Sequence, residues 1–234
     1  MARCQRKVDL MAINVPGSAV YVNDVECVPA NLIAMDATGS YTAMGWVYLP
    51  DATSLSPWRT FFSFQGATNG FLVGTDSDKQ TFMITDVSTN NFTGSLLPLT
   101  QWLHIAATYE SHGSGSTTFR GYVNGKLDID ADNTTGQEDF NFFPAIGNYQ
   151  QSYPLNGYVA DVRVFMRVMH PDDIIKEMRS EIPVDKTNLY TWLPLESIAT
   201  RDASGKAMVT ITQTGTSVVR GPVFCKSARR KKFP

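Results

Sequence analysis

The fold is decided between residues 101 and 130. The segment Gln101-Trp-Leu-His-Ile-Ala-Ala-Thr-Tyr-Glu110 runs into Ser111-His-Gly-Ser-Gly-Ser116, then Thr117-Thr-Phe-Arg-Gly-Tyr-Val123, Asn124-Gly125 and Lys126-Leu-Asp-Ile-Asp130. Gln101–Glu110 and Thr117–Val123 mix aromatic, β-branched and small residues, which suit a pleated, half-buried surface. Asn-Gly is the strongest short hairpin signal, because both central residues of that turn need positive φ. The Gly/Ser run between the first two pieces is a flexible connection. The reading is three consecutive antiparallel strands.

The same signals recur on either side. Upstream, Ser40–Leu49 ends at the turn Pro50-Asp51, and Trp58–Gln65 stops at Gly66. Gly70–Thr75 and Gln80–Thr85 flank the polar Asp76-Ser-Asp-Lys79. Downstream lie Asn156–Phe165, Asn188–Leu195 and Ala207–Gln213. One segment differs: His170-Pro-Asp-Asp-Ile-Ile-Lys-Glu-Met-Arg179 reads as a short helix near 171–180. Pro171 suits its first position, Asp172 and Asp173 the positive end of its dipole, and Lys176 and Arg179 the other end. Ile174, Ile175 and Met178 make a buried stripe, and Pro183 stops the chain continuing as helix. Many short strands with regular turns predict an all-β antiparallel two-sheet sandwich.

A 234-residue chain that is 43% hydrophobic and 18% charged is neither a disordered chain nor a coiled coil nor a collagen-like fibre. No apolar run reaches the ~18 residues of a spanning helix, so no membrane partner is expected. A chain of this length buries roughly 70% of its unfolded surface and needs neither disulfides nor a structural metal. The 3 cysteines, Cys4, Cys27 and Cys225, cannot all pair with one another. Val8–Val15 is short for a secretory segment and carries Asp9, with no clear cleavage site after it. The expectation is a protein made in a reducing cytoplasm.

The net charge of −2 is unevenly spread. Arg3, Arg6 and Lys7 face Asp9 near one end, and Lys226, Arg229, Arg230, Lys231 and Lys232 have no acid beside them at the other. The body between is acidic. The chain therefore divides into a basic arm over 1–17, a sandwich over 18–220 and a second basic arm over 221–234. The arms are candidate assembly contacts for an acidic partner chain, or solvated tails. The acidic body argues against nucleic acid binding beyond the arms themselves.

With these pieces in order, the chain resembles the concanavalin A-like lectin/glucanase superfamily, in its laminin G-like and pentraxin-like branch. Met44-Gly-Trp-Val-Tyr48 is similar to the family's early tryptophan strand, and Gln101–Tyr109 to its Trp-x-His strand. Tyr122-Val-Asn-Gly-Lys126 resembles its hairpin, and Ala145-Ile-Gly-Asn148 its short Ile-Gly strand. Leu155–Phe165 resembles its Gly-x-hydrophobic-x-Asp strand, with the helix following in the family's place. Leu189–Leu195 and Asp202-Ala-Ser-Gly205 complete the series. The resemblance implies a jelly roll of two curved antiparallel sheets. It implies binding of glycans or proteins at rim loops or a sheet face, often with calcium, and glycan cleavage in some members. His170 stands where the family often has Ser, and the basic arms are not a family feature.

Candidate chemistry is sparse. Asp128-Ile-Asp-Ala-Asp132 aligns three carboxylates on one strand face, the pattern a glycosidase needs, although superfamily glucanases use glutamates there. Asp76, Asp78 and Asp86 are weak calcium candidates, well short of the six to eight oxygens the ion takes. His104, His112 and His170 show no metal or triad spacing, and no phosphate-binding loop or Gly-x-Ser-x-Gly elbow occurs. Trp46, Trp102 and Trp192 are expected in the core. Asp161 and Arg163 share a strand face and are expected to support the fold. Trp58, Tyr149 and Tyr153 lie at loops, and exposed rings there can stack on sugars, which makes them the ligand-binding candidates.

The expected function is a non-catalytic, lectin-like structural or adhesion component of a larger assembly, a phage virion in its most specific form, docked through the basic termini. A free carbohydrate-binding module and a glycan hydrolase or lyase are the alternatives. No cofactor beyond calcium is expected.

Overall fold

The computed structural model describes residues 7–15, 22–28, 39–50, 58–65, 70–78, 80–85, 90–113, 115–133, 144–147, 153, 155–195, 208–213 and 217–225. The strands are β1 (Lys7–Val15), β2 (Val22–Val28), β3 (Tyr41–Tyr48), β4 (Arg59–Gln65), β5 (Gly70–Thr75), β6 (Thr81–Thr85), β7 (Asn91–Leu96) and β8 (Trp102–Ser111). They continue as β9 (Thr117–Val123), β10 (Lys126–Asn133), β11 (Pro144–Ile146), β12 (Gly157–Phe165), β13 (Leu189–Leu193), β14 (Met208–Gln213) and β15 (Ser217–Cys225), with the helix α1 (Pro171–Met178) between β12 and β13.

Two antiparallel sheets form a jelly-roll sandwich. The larger runs β10-β9-β8-β3-β12-β1-β15, and β13 shares the second edge of β12 with β1. The smaller runs β11-β4-β5-β6-β7, and β14 pairs with β2 separately. The meander read from 101–130 is β8-β9-β10, with Asn124 and Gly125 both at positive φ. Gly125 has a second reason to be glycine: a Cβ there would stand 2.7 Å from Ile175 of α1.

Two regions depart from the reading of basic arms beyond the sandwich. Lys7–Val15 and Ser217–Cys225 are strands of the large sheet, paired with each other and, through β1, with β12. Their partners are about as far apart in sequence as the chain allows, so no local pattern signals the pairing. Arg3, Arg6, Lys226, Arg229, Arg230, Lys231 and Lys232 lie outside the described residues, as does the side chain of Lys7.

Phenylalanine and tyrosine fill the space between the sheets. Phe62, Phe64, Phe71, Phe82, Tyr109 and Phe119 are fully buried there, with Phe64 stacked on Phe71 at 4.7 Å and Phe119 5.7 Å from Phe71. One rim is closed by a carboxylate: Asp128 accepts the Ser95 N–H of β7 at 2.8 Å, joining the small sheet to the edge of the large one. Gly94 permits this approach, since a Cβ on it would lie 2.2 Å from the Asp128 oxygen. A glycine in mid-strand lowers strand propensity, which is why 91–96 does not read as a strand.

The helix packs on the outer face of the large sheet. Met44, Ala106, Tyr122, Phe165, Met169, Ile174 and Leu189 form its interface. His170 caps it, with Nδ1 accepting the Asp172 N–H, and Pro171 takes the first turn. Ile174 is buried as the stripe predicts, but its buried companion is Glu177, while Ile175 and Met178 are half-buried. Glu177 is buried because Arg163 is. The Arg163 guanidinium donates to both Asp161 oxygens (3.1 and 2.7 Å), to Glu177 Oε2 (2.7 Å) and to the Glu177 and Ser180 carbonyls (3.0 and 2.6 Å). Glu177 also accepts the N–H groups of Val184 and Asp185. Removing one partner of a buried ionic cluster strands the others without compensation. Arg163→Met is expected to lower the unfolding free energy by about 3–5 kcal/mol in urea titration. A loss under about 1 kcal/mol would show that this cluster does not hold the helix to the sheet.

Candidate functional site

The small sheet's outer face carries the first candidate site. Register pairs Ser63 with Leu72 and Leu72 with Thr85, and pairs Gly74 with Met83, so these residues share one face while their neighbours Phe64, Phe71 and Phe82 point into the core. Leu72 and Met83 are buried, and Tyr153 packs over them. The Tyr153 ring lies 4.8 Å from the Trp58 ring, tilted by 48°, and both residues are half-buried. The Thr60 N–H donates to the Tyr153 carbonyl at 3.2 Å and fixes the loop to the start of β4. Two of the three sequence candidates are thus brought together, and Tyr149 lies outside the described residues.

The acidic run behaves differently from its pattern. A bulge between Leu127 and Ile129 breaks the alternation, so the three carboxylates do not share one face. Asp128 turns to the rim and holds Ser95. Asp130 pairs with Arg120 at 3.1 Å, and Arg120 also holds Glu110 at 2.7 Å. Asp132 accepts the Thr118 hydroxyl at 2.7 Å, and that hydroxyl also meets His112 Nε2 at 2.8 Å. Each acid has a fold-supporting partner.

Asp78 caps its own hairpin. One oxygen accepts the N–H groups of Gln80 and Thr81 at 2.9 and 2.7 Å, and the other accepts the Thr81 hydroxyl. Burial pushes this carboxyl up, but the hydrogen bonds from Thr81 and Gln80 outweigh it and hold the group below its ordinary range. Asp76 accepts the Ser77 N–H, and Asp86 lies outside the described residues. Among the described residues, no group of three or more His, Cys, Asp or Glu converges as a metal site. Asp78→Ala is expected to cost about 1 kcal/mol of stability, as loss of a capping carboxylate does, by the same amount in calcium and in EDTA. A calcium-dependent difference in melting temperature that the variant abolishes would instead make Asp78 a ligand.

Trp46 and Trp102 depart from their expected place in the core. Both are half-buried on the outer face of the large sheet, while their strand neighbours Val47 and Leu103 point inward. Trp102 lies 5.7 Å from Tyr48, and Tyr48 lies 5.4 Å from Tyr158. Tyr48 and Tyr158 are not among the site residues expected from the sequence, but alternation along β3, β8 and β12 places them on this face. Trp192, also half-buried, donates its indole N–H to Asp161 at 2.8 Å and lies under the Arg163 guanidinium. Burial raises the Asp161 carboxyl above its ordinary range, against the downward pull of Arg163 and Trp192.

His104 packs its ring against Trp46 at 5.3 Å, and its hydrogen bonds to Asn124 run through its backbone. Burial, with the nearby Arg163 charge, pushes the imidazole down to about 3 from 6.5.

A family model described as concanavalin A-like lectin/glucanases superfamily matches residues 20–175. The chain belongs to that superfamily. Among solved structures, it is similar to a Bacteroides ovatus ATCC 8483 protein provisionally named carbohydrate-binding, with 18% identity and a TM-score of 0.61 over 93% of this chain and 61% of the other. The chain thus spans less than two thirds of that neighbour's length. It is also similar to domain 4 of AbnA, a GH43 extracellular arabinanase of Geobacillus stearothermophilus solved with arabinotriose (18% identity, TM-score 0.45, 60% of this chain and 68% of that one). Trypanosoma rangeli sialidase is a further neighbour, at 13% identity and a TM-score of 0.47 over 62% of this chain and 23% of the other. No curated protein matches. At these identities the likeness describes the fold.

In this superfamily member the buried His104 gives a pH signature. The folded chain keeps the imidazole neutral down to about pH 3, whereas the unfolded chain protonates it near 6.5. The unfolded state binds more protons in between, so stability is full above that range and falls as pH drops. Between pH 7 and pH 4 the loss from this group is roughly 2–4 kcal/mol. Urea midpoints should fall over that range, and less steeply for His104→Gln. Equal slopes for the two proteins would rule out a buried neutral imidazole.

Proposed function

We propose that this chain is a non-catalytic, lectin-like module that binds glycans at the Trp58–Tyr153 corner of the small sheet. The observation that carries the reading is the ring pair itself, 4.8 Å apart and half-exposed, on a loop tied to β4 through the Thr60 N–H. Such rings offer apolar faces to the C–H faces of sugars with little side-chain freedom to lose. Concanavalin A-like architecture supports the reading without choosing a ligand. The non-catalytic part is supported by the separate engagement of Asp128, Asp130 and Asp132. A retaining glycosidase needs two free carboxyls roughly 5–5.5 Å apart across the substrate.

The charge split of the sequence favours a second reading, an adhesion component fixed in a larger assembly through Arg3, Arg6, Lys7 and the basic run Lys226–Lys232. The phage-virion form of that reading has no counterpart among the neighbours named above. Deleting residues 226–234 is its test: the truncated chain should fold but lose co-purification with an acidic partner protein, and unchanged co-purification would end it.

For the glycan reading, the full chain is applied to a glycan array and the retained sugar is titrated against variants. Trp58→Ala and Tyr153→Ala are each expected to weaken binding by about tenfold or more, ~1.4 kcal/mol. Asp130→Asn should bind like the parent, with no new reducing ends released by either protein. Failure to retain any sugar, or retention indifferent to both aromatic substitutions, would overturn this site.

A further inference from the structure

We propose that the outer face of the large sheet carries a second glycan site, an aromatic shelf of Trp102, Tyr48 and Tyr158 that takes an extended, uncharged, β-linked polysaccharide. This shares the glycan-binding premise of the preceding proposal but uses other residues on the opposite face of the sandwich.

The shelf follows from register. Trp102 is directly paired with Tyr48 across β8 and β3, and Tyr48 with Tyr158 across β3 and β12. Directly opposed residues share a face. Their neighbours Leu103, Val47, Leu49 and Val159 are in the core, so the three rings stand outward in a row. All three are half-buried. Tyr48 is turned by 58° from Trp102 and by 72° from Tyr158, so the row is stepped, with the middle ring separating the outer two. Trp102 and Tyr158 are two strands apart, about 10 Å by ordinary strand spacing, the length of a disaccharide in an extended chain.

The row is also held rigidly. Trp46 and the buried His104 occupy the next register row of the same face. Gly157 lets β12 close on β3 beside the shelf, since a Cβ there would lie 2.5 Å from the Tyr48 carbonyl. The Thr100 N–H donates to the Leu49 carbonyl at 2.8 Å and fixes the approach to β8.

Its chemistry selects the ligand. The phenol oxygens of Tyr48 and Tyr158 and the indole N–H of Trp102 have no hydrogen-bond partner among the described residues, and all three side chains are partly exposed. The described residues at the strand ends beside the row, Pro50, Thr100, Gln101 and Asn156, carry no charge. Apolar ring faces interleaved with neutral donors and acceptors match a chain of equatorially substituted sugars, which shows C–H faces above and below and hydroxyls along its edges. Among the described residues of this shelf an anionic polymer would meet no cation, so the neutral class is the one it complements.

The test is native affinity electrophoresis of the full chain in gels containing hydroxyethylcellulose, mixed-linkage β-glucan or glucomannan. At least one polymer is expected to retard the protein. Trp102→Ala and Tyr158→Ala should each weaken that retardation by about tenfold, whereas Trp58→Ala should leave it unchanged. Where Trp102→Ala melts below the parent, Tyr158→Ala alone decides. Free migration in all three gels, or retardation that survives Tyr158→Ala, overturns the shelf. Blank gels with an array sugar held through Trp58 remove the shelf and leave the first site. Retardation lost with Tyr158→Ala beside a blank array upholds the shelf and removes the first site.

Discussion

The structure depends on one guanidinium. Arg163 is 1% exposed, and its donors are spent on two carboxylates and two helix-end carbonyls. An arginine this deep is tolerated only if its charge and its hydrogen bonds are met together. Meeting them requires the end of α1, the loop at 184–185 and β12 to be in place at once. The same cluster orients Trp192 through Asp161, and the Arg163 charge adds to the burial that keeps His104 neutral. Helix, loop and two strands are therefore coupled through a single side chain, and the outer face of the large sheet is divided into a covered half under α1 and an aromatic half beside it.

That division was only partly legible in the sequence. Alternation and the Asn-Gly turn were sufficient for the meander, because hairpin register is set locally. The helix was legible from Pro171, its two aspartates and its apolar spacing. Glu177 was not, since a charged residue on a helix is buried only for a partner on another element, here Arg163 on β12. The pairing of β1 with β15 is equally non-local. The bulge at Asp128 shows the same limit on a smaller scale: strict alternation places three carboxylates together, and one inserted residue sends the first to the opposite sheet.

The site residues divide in the same way. Trp58 and Tyr153 were marked by their loop context, and packing then brought them together over Leu72 and Met83. Tyr48 and Tyr158 carried no mark, because each is an ordinary strand residue until register sets it beside Trp102. Tryptophan on a strand suggests core, but position along the pleat decides which face it takes. Here the inward positions of β3 and β8 belong to Val47, Leu103 and Ile105.

The placement of the aromatics follows from what each ring must do with its polar atom. A sandwich interior offers few partners for an N–H, so the space between the sheets is filled largely by phenylalanine, which has none to satisfy. Trp192 faces outward and finds Asp161. Trp102, Tyr48 and Tyr158 face outward as well, each partly exposed. The core holds Phe62, Phe64, Phe71, Phe82 and Phe119 with Tyr41, Tyr109 and Tyr190 among them, while Trp46, Trp102, Trp192, Tyr48 and Tyr158 stand on the outer face of the large sheet. Trp102, Tyr48 and Tyr158 are carried there on hydrogen-bonded strands, whereas Trp58 and Tyr153 on the other face lie outside the strands. Rings fixed in this way need little further ordering to meet a ligand, and a flat, uncharged one is the kind they suit.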